Sequence, residues 1–97
     1  MWYEIILAPE AVEDLRRLSA RDRSTIRDAL ERLLRYEPGK ESRSSIQRLR
    51  GISRPQYRLR VGDFRVFYDV GEDAVEILAI VPKLHVEDRL KEIGGQS

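Results

Sequence analysis

The sequence contains no cysteine and only one histidine, His85. Without thiols there is no disulfide framework and no thiolate metal site, and one imidazole among scattered carboxylates gives no ligand spacing for a metal. No cofactor is expected. Long apolar runs are also missing. Nothing approaches the ~20 apolar residues that a membrane span needs, so no membrane partner is expected. The start, Met1-Trp2-Tyr3-Glu4, does not read as a signal peptide, and the expected location is cytoplasmic. Neither an internal repeat nor a linker is visible. The 97 residues fit one domain, 1–97. A chain of this size buries roughly 60–70% of its unfolded surface, which leaves room for one modest core and not for a deep enclosed cavity.

What the sequence has in abundance is charge, on 36% of its residues. The formal net charge of +1 hides an asymmetry. Residues 1–42 carry eight basic and nine acidic side chains, and residues 66–97 carry three basic and seven acidic ones. Between them, residues 43–65 hold seven arginines (Arg43, Arg48, Arg50, Arg54, Arg58, Arg60 and Arg65) against one acid, Asp63. Arginine-rich loops can serve solubility alone. A local excess of this size in a sheet-forming segment points instead to a polyanion or an acidic partner.

Hydrophobic periodicity predicts the elements. Trp2 to Leu7 alternates as a strand, with Tyr3, Ile5 and Leu7 on one face. Pro9 suits the first turn of a helix, and Val12, Leu15 and Leu18 recur at helical spacing. Ser19 and Asp22 form a rough capping box for a second helix, whose apolar stripe is Ile26, Leu30, Leu33 and Leu34. That stripe reads as core. Pro38-Gly39 ends the helix, and residues 40–46 form a polar loop. Ile46 to Leu49 reads as a short strand. Gln56–Val61, Phe64–Val70 and Val75–Val81 then read as antiparallel strands, turned at Gly62-Asp63 and at Gly71 to Ala74. Val86 to Ile93 closes the chain as a short helix stopped by Gly94-Gly95. The expected class is α+β: an N-terminal strand, a two-helix hairpin covering one face of a curved antiparallel sheet of about four strands, and a short C-terminal helix.

A two-residue turn at Gly62-Asp63 fixes a register. It sets Val61 opposite Phe64, Arg60 opposite Arg65, Leu59 opposite Val66, Arg58 opposite Phe67 and Tyr57 opposite Tyr68. Directly paired residues share a face, and faces alternate along each strand. Tyr57, Leu59, Val61, Phe64, Val66 and Tyr68 therefore make the core side. Arg58, Arg60 and Arg65 gather on the other side beside Phe67. Like charges opposed across strands cost up to roughly 1 kcal/mol a pair. The arrangement makes sense if an anion sits among them, because guanidinium matches phosphate bidentately and keeps its charge. Phe67 would then stack on a base. The competing expectation is that Asp69, Glu76 or the acidic C-terminal stretch neutralises the cluster from within.

Leu49-Arg50-Gly51, Tyr57-Arg58-Leu59-Arg60-Val61, Gly62-Asp63-Phe64-Arg65-Val66-Phe67-Tyr68 and Val75-Glu76-Ile77-Leu78-Ala79-Ile80 resemble the RelE/ParE toxin superfamily over nearly the whole chain. The resemblance implies a RelE-like fold and the toxin of a type II toxin–antitoxin pair, partnered by a cognate antitoxin whose extended helix wraps it. RelE-type members cut mRNA in the ribosomal A site, so ribosome and mRNA are the implied partners. ParE-type members poison DNA gyrase instead. The resemblance implies basic residues at Arg58 and Arg60 and a phosphate-stabilising arginine at Arg65. The pattern departs after the last strand, where leucines stand in place of an expected arginine and tyrosine. Lys83 and His85 are the nearest titratable substitutes.

Cutting RNA through the ribose 2′-OH requires a proton acceptor, a proton donor and positive charge on the phosphate. Arginine supplies the charge but is a poor base. An imidazole has the ordinary pKa, about 6.5, for either proton step. The candidate catalytic set is therefore Arg65, Arg60, Arg58, His85 and Lys83, with Arg48, Arg50, Arg54 and Phe67 as further RNA contacts. The reading is a ribosome-dependent mRNA endonuclease. The alternatives are a ParE-like gyrase inhibitor and a catalytically degenerate member that binds only RNA or its antitoxin. Candidate antitoxin surfaces are the grooves between the two N-terminal helices and the sheet, and the segment Val86–Ile93.

Overall fold

In a computed structural model, which describes residues 1–42 and 45–94, strand β1 (Glu4–Leu7) leads into helices α1 (Pro9–Arg16) and α2 (Ala20–Leu34). Strands β2 (Ile46–Arg48), β3 (Tyr57–Val61), β4 (Phe64–Val70) and β5 (Ala74–Pro82) follow. A 3₁₀ turn over Lys83–His85 then leads to helix α3 (Val86–Gly94). Two features of the sequence reading, the charge at Arg43 and the Gly95 half of the final stop, lie outside the described residues.

The strands form one sheet in the order β1-β5-β4-β3-β2. It has five strands and is mixed, where about four antiparallel strands were expected. The difference is β1, which pairs parallel to β5 with Ile5 opposite Val75 and Leu7 opposite Ile77. A pairing between the two ends of the chain leaves no mark on local periodicity. The hairpin register is the expected one at every pair from Tyr57↔Tyr68 to Val61↔Phe64. Gly62 makes the turn at φ 57°, a value that suits a residue without Cβ.

The larger core lies between the sheet and α1/α2. It joins Leu15, Ile26, Leu30 and Leu34 from the helices to Leu59, Val66, Tyr68 and Ile77 from the strands. Ser19 caps α2 by accepting from the Asp22 N–H at 3.1 Å. In α1 the buried residues are Ala11, Asp14 and Leu15, while Val12, expected in the stripe, is exposed. Between Phe67 and Tyr68 the β4–β5 register shifts, so that Phe67 pairs with Ala79 and Tyr68 with Ile77. Leu78 is the extra residue, and the bulge lets Ile77 and Ile80 both face the main core.

The opposite face is covered too. Phe67, Ala79 and Val81 form a second small core beneath Leu49 and the α3 residues Val86, Leu90 and Ile93. These three recur at i, i+4 and i+7, one stripe of an amphipathic helix. Arg89 of α3 grips Asp14 of α1 through two bonds of 2.8 and 2.7 Å, and Asp14 also accepts the Ile80 N–H at 2.9 Å. This ion pair reaches around β5 and ties the helices of the two faces together. At its far end α3 lies so close to the 54–55 backbone that a Cβ on Gly94 would run into the Arg54 carbonyl.

Candidate RNA-binding face

The face away from α1/α2 holds the arginines. Across it the register runs Gln47↔Arg58↔Phe67↔Ala79 in one row and Arg60↔Arg65↔Val81 in the next. Directly opposed side chains start about 5 Å apart at Cβ, and residues two apart on a strand about 6.6 Å, so the three guanidinium groups share one small area. None of Arg58, Arg60 and Arg65 forms an ion pair among the described residues. The Nε of Arg58 is buried without a hydrogen-bond acceptor. Arg65 folds back on the turn, where its Nη1 donates to the carbonyls of Gly62 and Phe64 at 2.9 Å each. That contact orients the fork and leaves its other nitrogens without an acceptor among the described residues. Burial first, then Arg60 and Arg58, push the Arg65 pKa below its ordinary value, and Asp63 offsets this in part. The cluster is charged, close and internally unbalanced.

The acids on this face do not supply the balance. Asp69 and Glu76 are paired neighbours, yet both bind Arg54, at 3.0 and 3.1 Å. Asp69 is further engaged by the Gln56 N–H at 2.8 Å. Asp69 and Glu76, two of the groups expected to neutralise the cluster, are thus taken by a different arginine.

Several expected contacts are displaced for the same kinds of reason. Arg54 is held by those two carboxylates and is not a free cation for RNA. Arg48 pairs in register with Tyr57, so it lies on the other face, and its guanidinium sits 5.1 Å over the Tyr57 ring. Phe67 is fully buried beneath α3, with no ring face open to a base. Arg50 is exposed in the loop after β2 and has no ion pair among the described residues. Lys83 stands at the turn end of the hairpin, its N–H donating to the Asp63 carbonyl at 2.9 Å and its Nζ 3.7 Å from the Asp63 carboxylate. His85 is exposed in the 3₁₀ turn that carries the chain from the end of β5 onto the arginine side, where α3 packs. Of the nine expected residues the structure gathers Arg58, Arg60 and Arg65 on one face, with Lys83 at the hairpin turn and His85 exposed in the 3₁₀ turn that follows β5.

Two residues that sequence reasoning passed over set the margins of this face. Asp14 and Arg89 fix α3 over Phe67. The signal was present: Asp14 falls among Ala11, Leu15 and Leu18 on the inward stripe of α1, and a carboxylate there requires a partner. Among the described residues no group of three or more His, Cys, Asp or Glu could hold a metal ion.

The sequence model of the ParE toxin of type II toxin–antitoxin systems (parDE) matches residues 5–84. The chain belongs to this family. It is a type II toxin of the RelE/ParE superfamily, and solved structures agree on the fold. The archaeal RelE–RelB complex of Pyrococcus horikoshii OT3 contains a chain 29% identical, with a TM-score of 0.64, covering 86% of this toxin and 97% of that chain. The RelB–RelE antitoxin–toxin complex of Methanococcus jannaschii gives 20% identity and a TM-score of 0.65, covering 87% and 96%. The DinJ–YafQ toxin–antitoxin complex of E. coli gives 13% and 0.67, covering 90% and 97%. No curated protein matches the toxin's sequence. Among the described residues no helix is long and apolar enough to cross a membrane.

Proposed function

We propose that the toxin is a ribosome-dependent mRNA endonuclease, neutralised by a cognate antitoxin, and that Arg58, Arg60 and Arg65 grip the scissile phosphate. The observation that carries this reading is the absence of a counter-ion. Three guanidinium groups share one sheet face with no ion pair among the described residues, while Arg54 occupies Asp69 and Glu76 on that same face. A phosphate with its charge spread over several oxygens completes such a set, and in the transition state the charge to be met is larger. Arg65, oriented by its own turn, is assigned the transition-state contact. Lys83 and His85 at the rim are assigned the remaining work, Lys83 as an auxiliary phosphate contact and His85 as the proton-transfer group. The ribosome would position the substrate, which lowers what the toxin itself must supply.

The test is primer extension on an mRNA translated in the presence of the purified toxin. Cuts within codons are expected. Arg65→Ala is expected to lower cleavage by about 10²–10³-fold, the usual cost of losing one transition-state donor, with an unchanged far-UV spectrum. Cleavage that persists with Arg58, Arg60 and Arg65 all replaced would remove the phosphate grip. The second reading, a ParE-like gyrase inhibitor, is favoured by the family model itself and by the lack of a second imidazole. Inhibited DNA supercoiling with no mRNA cuts would select it.

A further inference from the structure

The arginine cluster leaves a ligand one way across the sheet. On the β5 side the row Gln47↔Arg58↔Phe67↔Ala79 runs under α3, which buries Phe67 and Ala79 fully, and the next row ends at the buried Val81. On the other side lies the edge strand β2, where Gln47 is exposed. The pairing of Gln47 with Arg58, and the Arg60 N–H bond to the Ser45 carbonyl at 2.8 Å, hold β2 beside both arginine rows. Directly paired residues share a face, so the side chains of Gln47 and Arg58 start about 5 Å apart at Cβ. A nucleic-acid strand held at the arginines by one phosphate therefore continues over β2 if it stays on the sheet.

Gln47 also lines a shallow hollow of about 450 Å³ at the outer edge of β2, together with Glu41, Ser42 and Ile46 among the described residues. The backbone there is already satisfied. The Ile46 N–H donates to the Ser42 hydroxyl and the Ile46 carbonyl accepts the Ser42 N–H, at 3.2 and 2.9 Å. The Arg48 N–H donates to Glu41 at 2.9 Å. What the hollow still offers is side-chain chemistry. The Gln47 carboxamide has no hydrogen-bond partner among the described residues, and the Glu41 carboxylate, fixed by the Arg48 N–H, keeps further lone pairs free. A carboxylate repels phosphate and accepts hydrogen bonds without donating any. The hollow therefore suits the uncharged part of a nucleotide, and an edge of it that brings hydrogens.

We propose that this hollow is a base-selecting subsite for the nucleotide next to the gripped phosphate, and that it takes a base with an amino group beside a ring nitrogen, adenine or cytosine. The inference rests on the endonuclease reading above and adds to it a rule of sequence choice. Gln47 accepts from the amino group and donates to the ring nitrogen, the two-bond pairing that glutamine makes with adenine. Glu41 takes the second amino hydrogen, as carboxylates do from the amino group of cytosine. Uracil and guanine carry a keto oxygen at that place, which the Glu41 oxygens repel. Single-stranded RNA can present these edges because its bases are free to splay out.

The test maps cuts at single-nucleotide resolution in an mRNA translated with the purified toxin, and with its Gln47→Ala and Glu41→Gln variants. At one fixed position beside the broken bond, adenine or cytosine is expected about tenfold more often than uracil or guanine, relative to the composition of the mRNA, as one good bidentate contact provides. The separate counts of the two bases tell adenine from cytosine. Gln47→Ala is expected to flatten the preference while the total of cuts holds, since Gln47 meets the base and not the phosphate. Glu41→Gln sets an N–H against a keto oxygen and is expected to admit uracil and guanine, a gain that mere loss of structure would not produce. Both positions are exposed, and unchanged far-UV spectra check the fold. Base frequencies that are the same for all three proteins would overturn the subsite, as would a parent preference for uracil or guanine. If the parent toxin makes no cuts, the endonuclease reading itself falls and takes the subsite with it.

Discussion

Arg60 and Arg65 stand directly opposite each other with no acid between them, and a residue kept at a cost to the fold leaves a thermodynamic trace. Replacing Arg60 by Gln removes one of the causes that lower the Arg65 pKa, after burial and alongside Arg58. Arg60→Gln is therefore expected to stabilise the toxin by a few tenths to roughly 1 kcal/mol in low salt. High salt should erase the gain, since Arg60 is exposed and screened. Urea unfolding at two salt concentrations, beside cleavage or growth-arrest assays, checks both halves. A variant that loses activity without gaining stability would contradict the repulsion argument. Tyr68 shows the opposite economy. Burial, then the neighbouring Tyr57, holds its phenol well above the ordinary value of 10, and its hydroxyl donates to the Pro38 carbonyl at 2.7 Å. Because the folded-state pKa exceeds the unfolded one, this stabilisation is complete below about pH 10 and is lost as pH rises beyond it. Tyr68→Phe should cost about 1 kcal/mol near neutrality, by removing the donor to a buried carbonyl. The gap between variant and parent should narrow above pH 10, and equal alkaline slopes for the two proteins would refute it.

Helix α3 has no fully buried residue of its own, yet it covers Phe67 completely, and the Asp14–Arg89 pair is what holds it there. Both side chains are largely out of water, at 7% and 18% exposure. Breaking one partner of such a pair leaves an uncompensated charge, at a cost of roughly 3–5 kcal/mol. Arg89→Met is thus expected to lower stability by about that amount and to accelerate hydrogen exchange in α3 before the rest of the sheet. Asp14→Asn also weakens the bond to the Ile80 N–H, so its effect should spread into β5. If both variants opened only with the global unfolding transition, α3 would be part of the main cooperative unit. This element also marks where the sequence was and was not legible. The β3–β4 register could be read because a Gly-Asp turn and strict alternation are local properties. The docking of α3 is not local. The stripe Val86, Leu90, Ile93 announced that the helix needed a surface, and nothing in it named Phe67 as that surface. The parallel β1–β5 pairing and the bulge at Leu78 were hidden for the same reason, being set by distant chain ends and by packing. At the site, strand parity placed Arg58, Arg60 and Arg65 together. It gave no warning that Arg54 would take Asp69 and Glu76, because that contact crosses from a loop to two strands.

On the scale of the whole molecule, a formal net charge of +1 is nearly neutral, so any strong attraction for polyanions has to come from how the charge is placed. The N-terminal half largely neutralises itself along its helices, through pairs such as Arg16–Glu13 and Arg32–Asp28 at i,i+3 and i,i+4. The acids of the C-terminal strands are used by Arg54, and α3 uses Arg89 to hold Asp14. What remains is a concentrated cationic area around Arg58, Arg60 and Arg65, without an ion pair among the described residues, and the proposed phosphate grip would relieve its mutual repulsion. A ligand that binds the folded state alone stabilises it by RT ln(1 + [L]/Kd), about 1.4 kcal/mol at ten times its Kd. For a domain of this size that corresponds to roughly 6–11 °C in Tm. Inorganic phosphate or sulfate should therefore raise the Tm of the toxin in a saturable manner. Chloride at matched ionic strength should do so far less, because it screens without bridging two guanidinium forks. Replacing Arg58, Arg60 and Arg65 together by Gln should raise the Tm in the absence of phosphate and abolish the phosphate-dependent rise. A rise that survives in the triple variant would place the anion elsewhere, and equal rises with chloride and phosphate would reduce the effect to screening.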